Sequence, residues 1–215
     1  INYGQCVSHE MVRMTIHDGL EINEPVDAVD GFILREKSVE DKIEGWAVTI
    51  SNLDQINAIN KRLDENLRQG ALCVGSTTGY AAAGISTYEL LEVQRTAARY
   101  GRPTASHTRL HGSNKAPMEA QMAFNELFAN AALLNAPLLI SHNNDYGWWE
   151  IEEKLKMARE QGMNMWAEYY PYEAASTNIG AIPLRPESLE GKLGLKYKDV
   201  LYDPSQDKYL NKDEY

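Results

Sequence analysis

The chain is short of several things, and each shortage excludes something. Cysteine occurs only twice in 215 residues, at Cys6 and Cys73, each within an apolar run. Two such residues make no disulfide framework; they read as buried thiols of a reducing, cytoplasmic compartment. Basic residues are outnumbered, 21 Lys and Arg against 31 Asp and Glu, for a formal net charge of -10. That surface repels phosphate backbones and anionic lipid, so neither nucleic acid nor a membrane surface is an expected partner. No apolar run approaches the roughly 20 residues of a membrane-spanning helix, and no leader peptide is visible. The stretch Gly75-Ser76-Thr77-Thr78-Gly79-Tyr80 lacks the lysine of a phosphate loop and the spacing of a dinucleotide fingerprint. It reads instead as a loop able to approach a ligand closely.

What is present is a core and an alternation. Hydrophobic residues make up 43% of the chain, enough for one packed domain. Short apolar strands begin near 71, 103, 137 and 163, with helical patterns between them. The helix over 54–68 carries Ile56, Ile59, Leu63 and Leu67 on one face. Ser86 to Glu89 has capping-box spacing, and the helix that follows buries Leu90, Val93 and Ala97. A helix over 117–134 is expected to turn Met118, Met122, Phe128 and Ala131 inward. Another over 148–161 turns in Ile151, Leu155 and Ala158. Residues 2–7 read as an earlier strand, and 163–172 as the last. Strands alternating with helices imply a parallel α/β sheet. Pattern alone leaves a closed barrel and an open sheet both standing.

The irregular stretches are 25–50, read as an insertion, and 181–215, read as a lid or loop extension with a short helix. Ile1-Asn2-Tyr3 is not an initiator sequence, and Asn211 to Tyr215 reads as the opening of a further helix, so both ends are expected to be cut.

The chemistry-bearing signal is a repeated one. Ser106-His107 and Ser141-His142 each close a short apolar strand. Neighbouring parallel strands lie ~4.8 Å apart, so matching C-terminal ends share one volume. Sites in α/β folds form at that edge, and two imidazoles there can share a metal ion. A single histidine at a strand end is more often a hydrogen-bonded wall residue; the matched pair is what raises the metal reading. His9, His17 and His111 lack such a partner, His9 being the best placed of them. Arg109, two residues beyond His107, could grip a carboxylate through its fork or sit in an ordinary ion pair. Tyr170, within Tyr169-Tyr170-Pro171-Tyr172, could donate to a developing oxyanion or form an aromatic wall.

Several of these segments together resemble the N-acyl-D-amino-acid deacylases (D-aminoacylases) of the amidohydrolase superfamily. The similar stretches are Gly70 to Tyr80, Ala105-Ser106-His107-Thr108-Arg109, Leu139-Ile140-Ser141-His142 and Tyr170-Pro171-Tyr172-Glu173-Ala174-Ala175-Ser176-Thr177. Tyr3 to Arg13 echoes a further upstream motif. The order and spacing hold across roughly residues 1–180.

The resemblance implies a TIM-like (β/α) barrel, of which 1–180 would supply about strands three to seven of eight. It implies one or two zinc ions, with His107 and His142 as ligands. It places Tyr170 near the polarised carbonyl and Ser176 near the substrate carboxylate, with Tyr80 and Arg109 as further substrate contacts. The implied reaction is metal-dependent hydrolysis of a linear amide in a small-molecule N-acyl amino acid, with an acidic substrate such as N-acyl-D-glutamate as a narrower form. It leaves room for an oligomer.

The chain also departs from the family. The His-x-His pair and the bridging cysteine have no match, and the catalytic Asp belongs to an eighth strand the chain does not reach. Asn144 stands where a lysine commonly follows the second histidine. On those grounds these residues alone are expected to be inactive, and a barrel fragment that binds a small acid is the non-catalytic alternative. A cyclic amidase of the same superfamily is a further alternative, opposed by the lack of a lysine in 71–78.

Overall fold

The computed structural model describes residues 4–19, 45–110, 117–172, 174–177 and 184–215. Its centre is a five-stranded sheet: β1 (Val7–Ser8), β2 (Val74–Thr77), β3 (Thr104–His107), β4 (Leu138–Ile140) and β5 (Met165–Ala167). The helices are α1 (His9–Asp18), α2 (Gly45–Val48), α3 (Leu53–Arg68), α4 (Thr87–Ala98), α5 (Pro117–Leu134) and α6 (Trp148–Glu160).

All four pairings are parallel, and the strands lie in chain order, β1-β2-β3-β4-β5. This order decides between barrel and open sheet. A doubly wound sheet reverses its order partway and carries helices on both faces. Here every crossover steps the same way, and crossovers share one hand, so all the helices fall on one face. The sheet is therefore part of a TIM-like barrel wall.

Burial follows from that layout. Residues facing the helices are buried: Val74, Ser76, Thr104, Ser106, Leu138, Ile140 and Met165. Alternate residues Gly75, Ala105 and Leu139 point to the other face and are partly open. One core cluster packs Phe124, Leu127, Ile151 and Leu155 of α5 and α6 over Leu138, Ile140 and Met165. A second packs Val12, Ile59, Leu63, Leu67 and Val93 over Val74.

The expected inward faces of α3, α4 and α6 are buried as read. The face of α5 is so only at Ala131 and, in part, Phe128. Met118 and Met122 are 69% and 62% exposed, and Ala120, Ala123, Phe124 and Leu127 are buried instead, with Ala131. This helix is apolar around most of its circumference, so periodicity does not choose the face; fit against β4 and α6 does.

Two other expectations change. Cys6 and Cys73 are bonded to each other, in the step of the β1–β2 pairing just before Val7 and Val74. They are not separate thiols, and they no longer argue for a reducing compartment. The ladder of the last strand ends at Ala167, short of the expected Tyr172. The insertion read at 25–50 lies outside the described residues up to 44; its last part forms the short α2. The first part of the 181–215 extension is likewise outside them. From 184 on it holds a π-helical turn at Glu187–Lys192, α7 (Tyr197–Val200) and a hairpin of β6 (Tyr202–Asp203) with β7 (Lys208–Tyr209). Among the described residues no helix is long and apolar enough to cross a membrane.

Candidate metal centre

The C-terminal ends of β2 to β5 bring four of the expected residues into one row. His107 is the last residue of β3 and is 7% exposed. His142 lies two residues beyond β4, with a backbone φ of 37°. That left-handed conformation is uncommon for a residue with a side chain and persists only where surroundings hold it. The two imidazoles meet edge to face, centroids 4.5 Å apart and planes at 78°. Tyr80 meets the His107 ring edge-on at 5.2 Å. Tyr170 stacks on His142, also at 5.2 Å, with planes 16° apart.

The loop after β2 shapes the His107 position. A Cβ on Gly79 would come within 2.5 Å of the His107 ring and 2.7 Å of the Thr108 carbonyl oxygen. Only glycine admits that approach. The Thr78 hydroxyl donates to the His107 carbonyl and fixes the strand end. His107 Nδ1 lies 2.8 Å from the Thr108 carbonyl oxygen. A carbonyl accepts only, so Nδ1 carries the proton and Nε2 the lone pair. A histidine that binds metal through one nitrogen and donates its other N–H to a carbonyl has this arrangement. The pair therefore fits as two ligands of a divalent metal. Among the described residues no group of three His, Cys, Asp or Glu could hold an ion by itself.

Other expected residues fall elsewhere. The Arg109 fork is engaged inside the protein: Nε and Nη2 donate to Glu126 at 3.0 and 2.9 Å, and Nη1 donates to the carbonyls of Ala82 and Ile85. The ion-pair alternative weighed for it is the one seen, and it ties the β2 and β3 loops to α5. Ser176 is exposed. Its neighbour Thr177 meets the Tyr80 hydroxyl at 3.1 Å, so that segment reaches the same row.

His9 is fully buried away from the row, between Ser76 Oγ at 3.0 Å and Glu89 Oε1 at 2.9 Å. His17 lies 2.9 Å from the Ser51 hydroxyl; burial, then Arg13, lowers its pKa, with Glu89 opposing. His111 is outside the described residues.

Sequence reasoning missed Glu10, which accepts a hydrogen bond from Thr77. Thr77 pairs in register with His107. Glu10 lies in the first turn of α1, directly after β1, where strand periodicity gives no signal for it.

The fold and the paired histidines at its C-terminal edge define a class: a segment of a TIM-like (β/α)-barrel wall with two imidazoles meeting at its mouth. Within it, the chain is similar to D-aminoacylase, described as defining a subset of amidohydrolases. Over 60% of this chain, identity is 27% and the TM-score is 0.50. A D-aminoacylase variant solved with copper chloride gives the same values. The N-acyl-D-glutamate deacylase of Bordetella bronchiseptica, solved with zinc and a phosphonate mimic of the tetrahedral intermediate, matches over 66% of this chain. Its identity is 24% and its TM-score 0.54, a likeness of fold. The chain spans 27% of the D-aminoacylases and 30% of the deacylase. No protein-family model and no curated protein sequence matches the chain.

Proposed function

We propose that the protein hydrolyses the linear amide of an N-acyl-D-amino acid with a divalent metal, zinc, held in part by His107 and His142. The observation that carries this reading is the 4.5 Å approach of the two imidazoles at the C-terminal edge of a barrel-type sheet. The likeness to D-aminoacylase supports the reaction class.

When bound, such a metal supplies Lewis acidity and hydroxide at neutral pH. The protein's residues supply the rest. His107 presents Nε2 because Nδ1–H is committed to a carbonyl. Tyr170, stacked on His142, places a phenol where it can donate to the oxyanion of the attacked acyl group. Tyr80 and Ser176 contact the substrate from the two loops flanking the row. Arg109 takes no part in this scheme, being held by Glu126.

The test uses the intact protein and two variants, His107→Ala and His142→Ala. Each is expected to lose bound zinc by elemental analysis and to lose hydrolysis of N-acetyl-D-amino acids, N-acetyl-D-glutamate among them, over their L forms. Protons compete with metal for imidazole lone pairs, so metal content and rate should fall together at acid pH. Full zinc occupancy in both variants would end the proposal.

A further inference from the structure

Asn144 stands where the resembling family commonly has a lysine. In the structure its side chain is aimed at the backbone of Tyr170. Asn144 Oδ1 accepts from the Tyr170 N–H at 2.8 Å, and Asn144 Nδ2 donates to the Tyr170 carbonyl at 3.1 Å. The orientation of the amide follows from its partners, since a flip would set donor on donor and acceptor on acceptor.

The pair of bonds continues the sheet. Glu168 N–H donates to the Ile140 carbonyl at 2.9 Å, and Asn143 N–H donates to the Glu168 carbonyl at 2.7 Å. The backbone rungs between the two chain segments run past the left-handed His142 to Asn143 and then give way. The Asn144 amide presents the donor and acceptor of a peptide group, and it forms the next rung with a side chain.

We propose that Asn144 is a positioning residue, holding Tyr170 over the His142 ring by a side-chain rung of the β4–β5 ladder. The stacking of Tyr170 on His142, at 5.2 Å and 16°, is the arrangement this rung maintains. Tyr170 is 43% exposed and lies past the end of β5, so little else fixes its backbone. A side chain turned to the Tyr170 backbone is not available to a substrate carboxylate. The consequence for catalysis rests on the proposed amidase reading; the positioning itself does not.

The experiment has two arms on the same protein. In the first, the His142 ring Hε1 resonance is followed in the metal-free protein, where the stacked Tyr170 ring imposes a ring-current shift. Tyr170→Ala marks the value without the ring. Asn144→Ala is expected to move the resonance most of the way to that value, with the amide spectrum elsewhere unchanged. A resonance left at its wild-type position overturns the proposal.

In the second arm, Asn144→Ala lowers kcat on the N-acyl substrate by on the order of tenfold to a hundredfold, as small misplacements of reacting groups do, with KM little changed. In a Tyr170→Phe background the same substitution should then cost almost nothing further. Equal losses in both backgrounds overturn the proposal. Should the protein hydrolyse no amide at all, a moved His142 resonance upholds the positioning and removes only the reaction.

Discussion

Glu89 is a fully buried acid, and its neighbours decide what it does. Its carboxylate accepts from Arg13 Nη1 at 2.5 and 2.6 Å and from His9 Nε2 at 2.9 Å, and all three residues are fully buried. Arg13 also donates to Ser51 Oγ and to the carbonyls of Trp46, Thr49 and Gly84. Burial pushes the Glu89 pKa up, but His9 and then Arg13 outweigh it and bring it down to about 2.

The folded pKa lies below the ordinary 4.5, so the stabilising contribution is present above the unfolded value. It is lost as pH falls from about 4.5 toward 2, and a shift of that size corresponds to about 3 kcal/mol. Denaturant titrations across that pH range should show the loss in the native protein. Glu89→Gln should remove most of the pH dependence and cost about 3 kcal/mol at pH 7, because it strands a buried guanidinium. A variant as stable as the native protein at pH 7 would refute this.

His9 and Arg13 fall in the upstream motif read from the sequence, but their pairing with Glu89 was not legible there, where Ser86 and Glu89 read as a capping box. The Ser86 half exists, its hydroxyl accepting from Glu89 N–H, but the Glu89 carboxylate turns away into the core. Its partners lie 76 and 80 positions upstream, a separation local spacing cannot register. The meeting of His107 and His142 was legible because each stands at or just past the end of a recognisable strand. For Arg109 spacing left a carboxylate fork and an ion pair both standing, because Glu126, which takes the fork, lies on the next helix.

At the scale of elements, helices were read more closely than strands. For α5 the expected bounds, Pro117 to Leu134, are the observed ones. For α3 the observed start, Leu53, lies one residue earlier, after an Asn52–Gln55 capping box. Amphipathic spacing and caps are local signals. Strand length is not, because a ladder stops where the neighbouring chain stops offering partners; so β5 ends at Ala167, its last backbone rungs run through Glu168, and the Asn144 side chain takes over at Tyr170.

The covalent link between the segments around β1 and β2 was also invisible in the spacing. The Cys6–Cys73 bond closes a separation of 67 residues. Loop-closure entropy for that span corresponds to roughly 4 kcal/mol. The bond predicts that neither cysteine reacts with an alkylating reagent in denaturant until a reductant is added. Cys6→Ser with Cys73→Ser should then lower the denaturation midpoint. Two labelled cysteines in the unreduced protein would dismiss the bond.

For the whole molecule, the direction of winding is what alternation of strands and helices could not encode. Each unit looks the same whether its neighbour lies to the left or the right, and only the observed order shows a barrel wall. That wall has two outer edges among the described residues, β1 at one end and β5 at the other. Eight strands close such a barrel, so the five among the described residues leave it open at both edges, with the Met165 carbonyl of β5 taken by Arg159. The face away from the helices is partly open at Gly75, Ala105 and Leu139, and Trp166 on the edge strand is 54% exposed.

Two features oppose association: the edges are two and three residues long, and the net charge is -10. Salt screens the second and leaves the first, with a Debye length of about 10 Å at 0.1 M falling to about 3 Å at 1 M. The 215-residue polypeptide on its own is therefore expected to self-associate as concentration rises, and more so at high salt. Sedimentation velocity at several concentrations, in dilute buffer and in 1 M salt (roughly the 3 Å regime), reads both dependences. A polypeptide that sediments as one unchanging monomer under all of them would mean that the open edges are covered by something within these residues.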